Sequence, residues 1–552
     1  MEKRTHSKNP LSYYWFALFA LFFLVQVFPR LGADSPAGDE MVDIGDGYFY
    51  WNGDVISDAH HPPLAKALQS LPVRAMGVES KAKGHFSSFE RRDYNFLYVL
   101  NRDRFESVVF RARLVTLLFG LGIGFLIFWA ARDLSRESGF FAMILWVLEP
   151  NLLAYSGFVM ADVPLSFFLL AAVLSYQKIT KGSPWKDGVR TGLLAGMAVT
   201  TKFSGAILLP LYGILEIFRF RSAKRGTSNR EIGRRWGWGG LAAILWISLL
   251  YLPGTLWIPG THWPLSYFWD GFHSTAAYSG HPTFFLGKLS GENHWAYYPV
   301  AFLLKSPIPF MILLAAASWL VATRRMQIPV WQWLTPALLF AAVLPFLNIG
   351  VRQVLSIYPF LILVAAQGAG WLWSQAGSRH LFLVRTLITV LLVFQAFSVV
   401  SSFPGQVGYL NELVTPEKRL YWLGDSNLDL QLDGKRLADE AKRRGWTKIK
   451  LAYFGSTDPE LYGMKWDYWT RKDLAGPQPG WVYAVNVSFL QLGPAYFPDA
   501  GAINRSWITD RQPTGMAGST WYFYESPGEA VPDDSPRLDS APPFKYFNGL
   551  NR

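Results

Sequence analysis

Two adjacent acids, Asp39 and Glu40, open a stretch that runs through Asp43 and Asp46 to a pair of histidines and a pair of prolines, His60, His61, Pro62 and Pro63. Carboxylates and imidazoles are the side chains that accept and return protons near neutral pH. Pro62 forces His61 into an extended backbone. Pro63 suits the first turn of a helix on which Leu64, Leu68 and Leu71 share a face. The histidines therefore precede a helix N-terminus, where free N–H groups and the helix dipole favour an anion. The ordinary reading of the same stretch is a solvated loop whose acids balance nearby Arg and Lys.

Three further charges stand beside apolar runs. Asp162 follows GFVMA and precedes VPLSFFLLAAV, so its carboxylate is expected to cap a membrane helix. Lys202, in TTKFSG, and Arg352, in NIGVRQVLSIYPF, are isolated cations between apolar helices. A cation there is costly unless paired, which makes a phosphate partner reasonable; snorkelling of the side chain to water is the plainer account. Glu149, just before Pro150, reads as a helix-end residue pointing to water and is given no role.

The elements that must hold these residues are mostly membrane spans. Of 552 residues 51% are hydrophobic and only 17% charged, which excludes an ordinary soluble enzyme. No cysteine is present, so thiolate metal sites, disulfides and cysteine nucleophiles are excluded. The first apolar run, 11–28, reads as a retained anchor rather than a cleaved signal, because no small-x-small site follows it. Ten more runs follow, at 114–131, 140–148, 163–176, 192–199, 205–218, 238–257, 308–321, 331–346, 354–373 and 381–400, making about eleven transmembrane helices. The net charge of +12 lies largely in the short loops between alternate runs. That pattern marks the cytoplasmic side and anionic lipid rather than nucleic acid. By alternation the loop 30–106, Asp162, Lys202, the segment 262–294, Arg352 and everything after residue 400 share the extracytoplasmic side.

From residue 403 the composition is that of a soluble module. Short apolar runs at 449–454 and 481–487 alternate with a polar helical stretch at 433–444, which reads as an α/β domain over 403–528. Residues 529–552 are rich in Pro, Asp and Ser and read as a flexible tail. There is no phosphate-binding glycine pattern, so nucleotide binding is unsupported.

The acids Asp39 and Glu40, the GYFYWNGD and HHPPLAK segments, Asp162, Lys202, GHPTFFLG from Gly280, KSPIPF from Lys305, IGVRQVLSIYPF, YLNEL from Tyr409 and LGDSNLDL from Leu423 occur in one order. Together they resemble bacterial members of the protein O-mannosyltransferase and aminoarabinose-transferase superfamily, over about 39–524. The resemblance implies a polytopic helical membrane protein of the C-type glycosyltransferase fold, in residues 1–402, followed by the extracytoplasmic α/β domain. It implies a sugar donor linked to polyprenyl phosphate, used at the outer face of the inner (plasma) membrane, with a protein, lipid or glycan as acceptor. Carried over by motif, Asp39 is the catalytic acid with Glu40 beside it, Asp162 the second acidic position, and Arg352 the reader of the lipid phosphate. His60 stands where such proteins place an acid, and Gln353 where many place a histidine.

The chemistry fits these residues. A phosphate oxygen leaves without needing protonation, so one base suffices. Asp39 would take the acceptor's proton; Arg352, Lys202 and His61 would hold the donor phosphate; His60 and Lys66 would support the loop or the acceptor. No cofactor is required, although a divalent metal is compatible with the acids. A transporter or lipid flippase is the competing reading, but such proteins place their charges at the bilayer midplane between repeated helix sets. A structural anchor carrying a binding domain leaves the membrane cations unexplained.

Overall fold

The computed structural model describes residues 13–52, 60–80, 89–132, 134–179, 185–222, 229–257, 263–277, 280–345, 347–375, 380–530 and 535–542. Each of the apolar runs overlaps a helix, because continuous apolar sequence in lipid must satisfy its own backbone. Among the described residues five helical stretches are long and apolar enough to cross a membrane: Tyr13–Ala33, Arg102–Ala131, Arg235–Pro253, Val351–Ser374 and Leu381–Ser401. A sixth arises if Tyr297–Lys305 and Ile308–Ala322, bent by 111° at Pro307, form one broken span. Asp162–Gln177 and Val330–Val343 are apolar but shorter. The remaining runs lie in helices that fall outside these criteria, so the expected number of spans, about eleven, is not reached by length and composition alone.

Two short helices fill the loop after the first span. Glu40–Trp51 packs against Pro63–Arg74 so closely that a Cβ on Gly47 would lie 2.0 Å from the Lys66 carbonyl oxygen. Pro63 does start its helix, with Leu64 buried, but Leu71, two turns further along the same face, is 43% exposed. Charges are buried at this junction: Lys66 Nζ lies 2.8 Å from Asp46 and 3.5 Å from Asp43, and Arg92 reaches the other oxygen of Asp46 at 2.8 Å. Lys66 is thereby a support of the loop.

The loop is anchored to the span Arg102–Ala131 by Arg113, whose side chain is fully buried. Its Nε and Nη2 donate to the two oxygens of Glu40 at 2.8 and 2.6 Å. The remaining donors go to the carbonyls of Leu31, Asp34 and Ser35 at 2.7 to 2.9 Å. Glu40 also accepts from the backbone N–H groups of Ala37 and Val159 at 2.7 and 2.8 Å. All five guanidinium donors and both carboxylate oxygens are thus satisfied, the condition under which a buried ion pair is tolerable.

Beyond residue 400 the strands β1 (Ile449–Ala452), β2 (Asp467–Tyr468), β3 (Val482–Asn486), β4 (Gly515–Ala517) and β5 (Trp521–Glu525) form a five-stranded sheet of order β2-β1-β3-β5-β4. β1 pairs in parallel with β2 and β3; β5 is antiparallel to β3 and β4. Alternation along β3 sends Val482 and Ala484 to one core and Tyr483 and Val485 to another. The first of these cores includes Ile44, Phe49, Tyr98 and Val109, so the sheet and the 30–106 loop share apolar contacts across the division expected at residue 402. Residues 535–542, expected within a flexible tail, lie on the sheet instead: Leu538 N–H donates to Trp469 O and Tyr453 N–H to Ser540 O, both at 2.7 Å. Burial of Leu538 and Ala541 holds them there; residues 543–552 lie outside the described residues.

Removing one partner of the Arg113–Glu40 pair leaves a bare charge in the interior, which typically costs about 3–5 kcal/mol. Arg113→Met is therefore expected to lower the melting temperature of the purified protein sharply, and Arg113→Met with Glu40→Met to recover part of the loss. A single variant as stable as the parent would show that the clamp does not hold the loop.

Candidate active site

Asp39, Asp162, Lys202 and Arg352 come together through one chain of polar contacts. Arg352 Nη1 donates to Asp39 Oδ2 at 2.8 Å. The next residue, Gln353, accepts at Oε1 from Lys202 Nζ at 2.9 Å, and Lys202 also pairs with Asp162 Oδ1 at 2.6 Å. All of these stand at helix ends. Asp39 is the N-cap residue of Glu40–Trp51, Asp162 is the first residue of Asp162–Gln177, Lys202 follows Trp185–Thr201, and Arg352 lies in the 3₁₀ turn Val351–Ile357 that opens a span.

Burial grades the group. The Asp39 side chain is 53% exposed and that of Arg352 15%, whereas Asp162 is buried. Asp162 is not the cap expected: the N-cap position is Ala161, Asp162 is the first helical residue, and its carboxylate pairs with Lys202. Lys202 does not snorkel either; its ammonium turns inward between Asp162 and Gln353. Glu40, expected as a second catalytic acid, is saturated by Arg113 and two backbone N–H groups and is fully buried, so it has no lone pair directed at a substrate.

The histidines are placed less directly. His60 faces Pro264–Ala277, with Nδ1 3.2 Å from Ser274 Oγ and its carbonyl accepting from Thr275 Oγ1 at 3.1 Å. His61 is half-buried in the turn beside it. Glu149 does not point to water. It is buried, caps its own helix by accepting from Leu152 N–H at 2.5 Å, and receives Asn151 Nδ2 at 2.8 Å. Asn151 in turn reaches the Lys305 carbonyl at 2.9 Å.

What aims Arg352 is the loop that follows the last span. Asn427 Oδ1 accepts from Val351 N–H at 2.9 Å, and its Nδ2 donates to Tyr297 Oη at 2.8 Å. Ser426 Oγ donates to the Ile349 carbonyl, and Tyr155 Oη donates to the Ser426 carbonyl at 2.7 Å. Gly350 is required between them, with φ of +124° and a would-be Cβ 2.1 Å from Ser426 Oγ. Lys305 Nζ, fully buried, ties the same loop down through the carbonyls of Val407 and Asn427 at 2.5 and 2.7 Å. The co-occurrence of NIGVR, KSPIPF and LGDSN in the sequence thus reflects one packed joint.

Two residues absent from the expected site belong to it. Gln353 carries the contact between the two cations' environments. Asp425, in the LGDSN motif, lies within electrostatic reach of Arg352, Asp39 and His281. Burial holds its carboxyl above the usual range against the pull of Arg352 and His281. The positive φ of Asp425, +57°, is a structural signal of its special place; in sequence only its membership of the motif pointed to it. No group of three or more His, Cys, Asp or Glu side chains among the described residues is placed to hold a metal ion.

The fold is matched by ArnT from Cupriavidus metallidurans in the apo state, with a TM-score of 0.51, 12% identity, and 87% of this chain and 95% of that one covered. The chain shares that fold, and its long apolar helices are those of a multi-pass membrane protein. Residues 12–259 match the model of the dolichyl-phosphate-mannose-protein mannosyltransferase family. Two curated relatives carry the name dolichyl-phosphate-mannose–protein mannosyltransferase 1. The one from Candida albicans is 25% identical over 249 residues, 43% of this chain and 26% of its own. The one from Saccharomyces cerevisiae is 30% identical over 196 residues, 34% and 22% respectively. The chain spans about a quarter of the length of these relatives.

Because Gly350 combines a left-handed φ with a blocked Cβ, Gly350→Ala is expected to lower the melting temperature and loosen the Arg352 turn. Gly213→Ala, whose added Cβ meets nothing within 4 Å, is the control and should leave melting unchanged. Equal behaviour of the two variants would mean that the joint does not constrain the turn.

Proposed function

We propose that this chain is an integral-membrane glycosyltransferase that moves a sugar from a polyprenyl-phosphate carrier to an acceptor by a single inverting displacement. The observation that carries the reading is the linked group Asp39, Arg352, Gln353, Lys202 and Asp162, two cations and two acids at helix ends. Charges in that position suit the head of a lipid phosphate at a membrane surface better than a path through the bilayer centre, which is where transporters keep theirs.

In this reading the phosphate of the donor competes with Asp39 for Arg352. A carboxylate held by a guanidinium is a weak base, so arrival of the phosphate both anchors the donor and releases Asp39 to act. The acceptor oxygen or nitrogen attacks the anomeric carbon as Asp39 takes its proton. The bond from that carbon to the phosphate oxygen breaks, its electron pair stays on the phosphate, and Arg352 and Lys202 stabilise the charge. His61 is assigned as a third phosphate contact, and His60 and Lys66 as supports of the loop. We assign the positive charge beside Asp162 to Lys202 rather than to a divalent cation. Protein, lipid and glycan hydroxyls or amines all fit the chemistry as acceptors.

Asp39→Asn keeps the shape and removes the basicity, so turnover should fall about a hundredfold or more with donor affinity not weakened. Arg352→Ala should instead weaken binding of a polyprenyl-phosphate ligand about ten- to a hundredfold, with Arg352→Lys recovering part of it. Near-parental transfer by Asp39→Asn in membranes with matched protein levels would end the assignment of the base.

The orientation proposed puts this site and the sheet on the extracytoplasmic face of the inner (plasma) membrane, following the Lys/Arg-rich alternate loops. An alkaline phosphatase reporter fused after Val400 is expected to be active; an inactive one, with a cytoplasmic reporter working in its place, would reverse the side.

A further inference from the structure

Asp425 is a third carboxylate in a site where binding of a phosphate calls for positive charge. Its position is fixed by the turn 425–427: Oδ1 accepts from Ser426 N–H at 2.5 Å, and the neighbouring residues are bound to Ile349, Val351, Tyr155 and Tyr297. Those bonds set it next to the Arg352 turn. Asp39, Asp162 and Asp425 thereby act on one guanidinium, with Lys202 as the second cation. Three ionised acids against two cations leave the group net negative. His281, whose Nδ1 donates to the Pro282 carbonyl at 2.9 Å, lies within electrostatic reach of Asp425. Among the described residues Tyr155, Tyr297 and Tyr298 also lie within electrostatic reach of Asp425.

Excess negative charge is a disadvantage for holding any phosphate, but the disadvantage is unequal between donor and product. A sugar linked to polyprenyl phosphate is a phosphodiester with one negative charge. Transfer of the sugar breaks the bond between the anomeric carbon and the phosphate oxygen and leaves a phosphomonoester, whose second proton leaves near pH 6. The product therefore carries up to one more negative charge than the donor. An added carboxylate at the phosphate repels it the more strongly.

We propose that Asp425 is a further residue of the donor site, a carboxylate that discriminates between phosphodiester donor and phosphomonoester product and drives release of the latter. The inference rests on the donor-site reading above. It explains why an acid from the loop beyond the last span is fixed beside the phosphate-binding arginine, and it gives that loop a part in turnover. Burial that raises the Asp425 carboxyl makes the discrimination grow with pH, as both Asp425 and the monoester ionise.

The test is binding to the full-length protein in nanodiscs, with undecaprenyl phosphate as the monoester probe and its methyl phosphodiester as the donor-like probe. The parent is expected to favour the diester, increasingly so between about pH 5.5 and pH 8. Asp425→Asn, which retains an acceptor for Ser426 N–H and tolerates the left-handed backbone, should bind the monoester about tenfold more tightly relative to the diester and lose most of the pH dependence. A ratio unchanged in Asp425→Asn, or a monoester bound more weakly by it, overturns the inference. The parent's own ratio, measured across pH, is a second arm that needs no variant, and a flat profile overturns it as well. If the parent binds neither lipid, or Arg352→Ala binds both as the parent does, the donor-site reading itself fails.

Discussion

The structure depends on what two neighbouring carboxylates do. Glu40 is buried against Arg113 with every donor and acceptor used, and this pair fixes the loop after the first span onto the span that carries Arg113. Asp39, one residue earlier, is half exposed and paired with Arg352. Successive residues at a helix start point about 100° apart, so a loop clamped through Glu40 must present Asp39 to a different side. The buried pair is what gives the exposed one a defined position, because a charge fixed in the interior cannot shift without losing its partners.

From that anchor the site extends across elements far apart in the chain. Arg352 and Asp39 are 313 residues apart, Lys202 and Gln353 151. Each contact crosses a helix end, and each cation is held by an acid that a bound anion could replace. Both cations are thereby paired within the protein itself.

The segment after the last span is part of this arrangement. Its 424–428 turn holds the Arg352 turn through Asn427 and Ser426, and Lys305 and Tyr155 hold it in return. The sheet beyond shares a core with the 30–106 loop, so movement of the sheet would be felt at Asp39 as well as at Arg352.

The helices were legible in the sequence because lipid imposes continuous apolar runs, and the helix at Pro63 because proline fixes the backbone of its own residue and restricts the one before. The charged residues Asp39, Asp162, Lys202 and Arg352 stood out for the same reason, being costly beside apolar runs. Their partners did not. Arg113 is hidden at the edge of an apolar run, Glu149 looked solvated, Asp162 looked like a cap, and Asp425 was one letter in a motif. Which acid is buried and which cation it meets depends on how helices pack across hundreds of residues, and on electrostatic energies that change several-fold with burial. Residue types and local periodicity were determined by the sequence alone; burial, pairing and therefore the division of labour between Asp39 and Glu40 were decided only when the chain was folded.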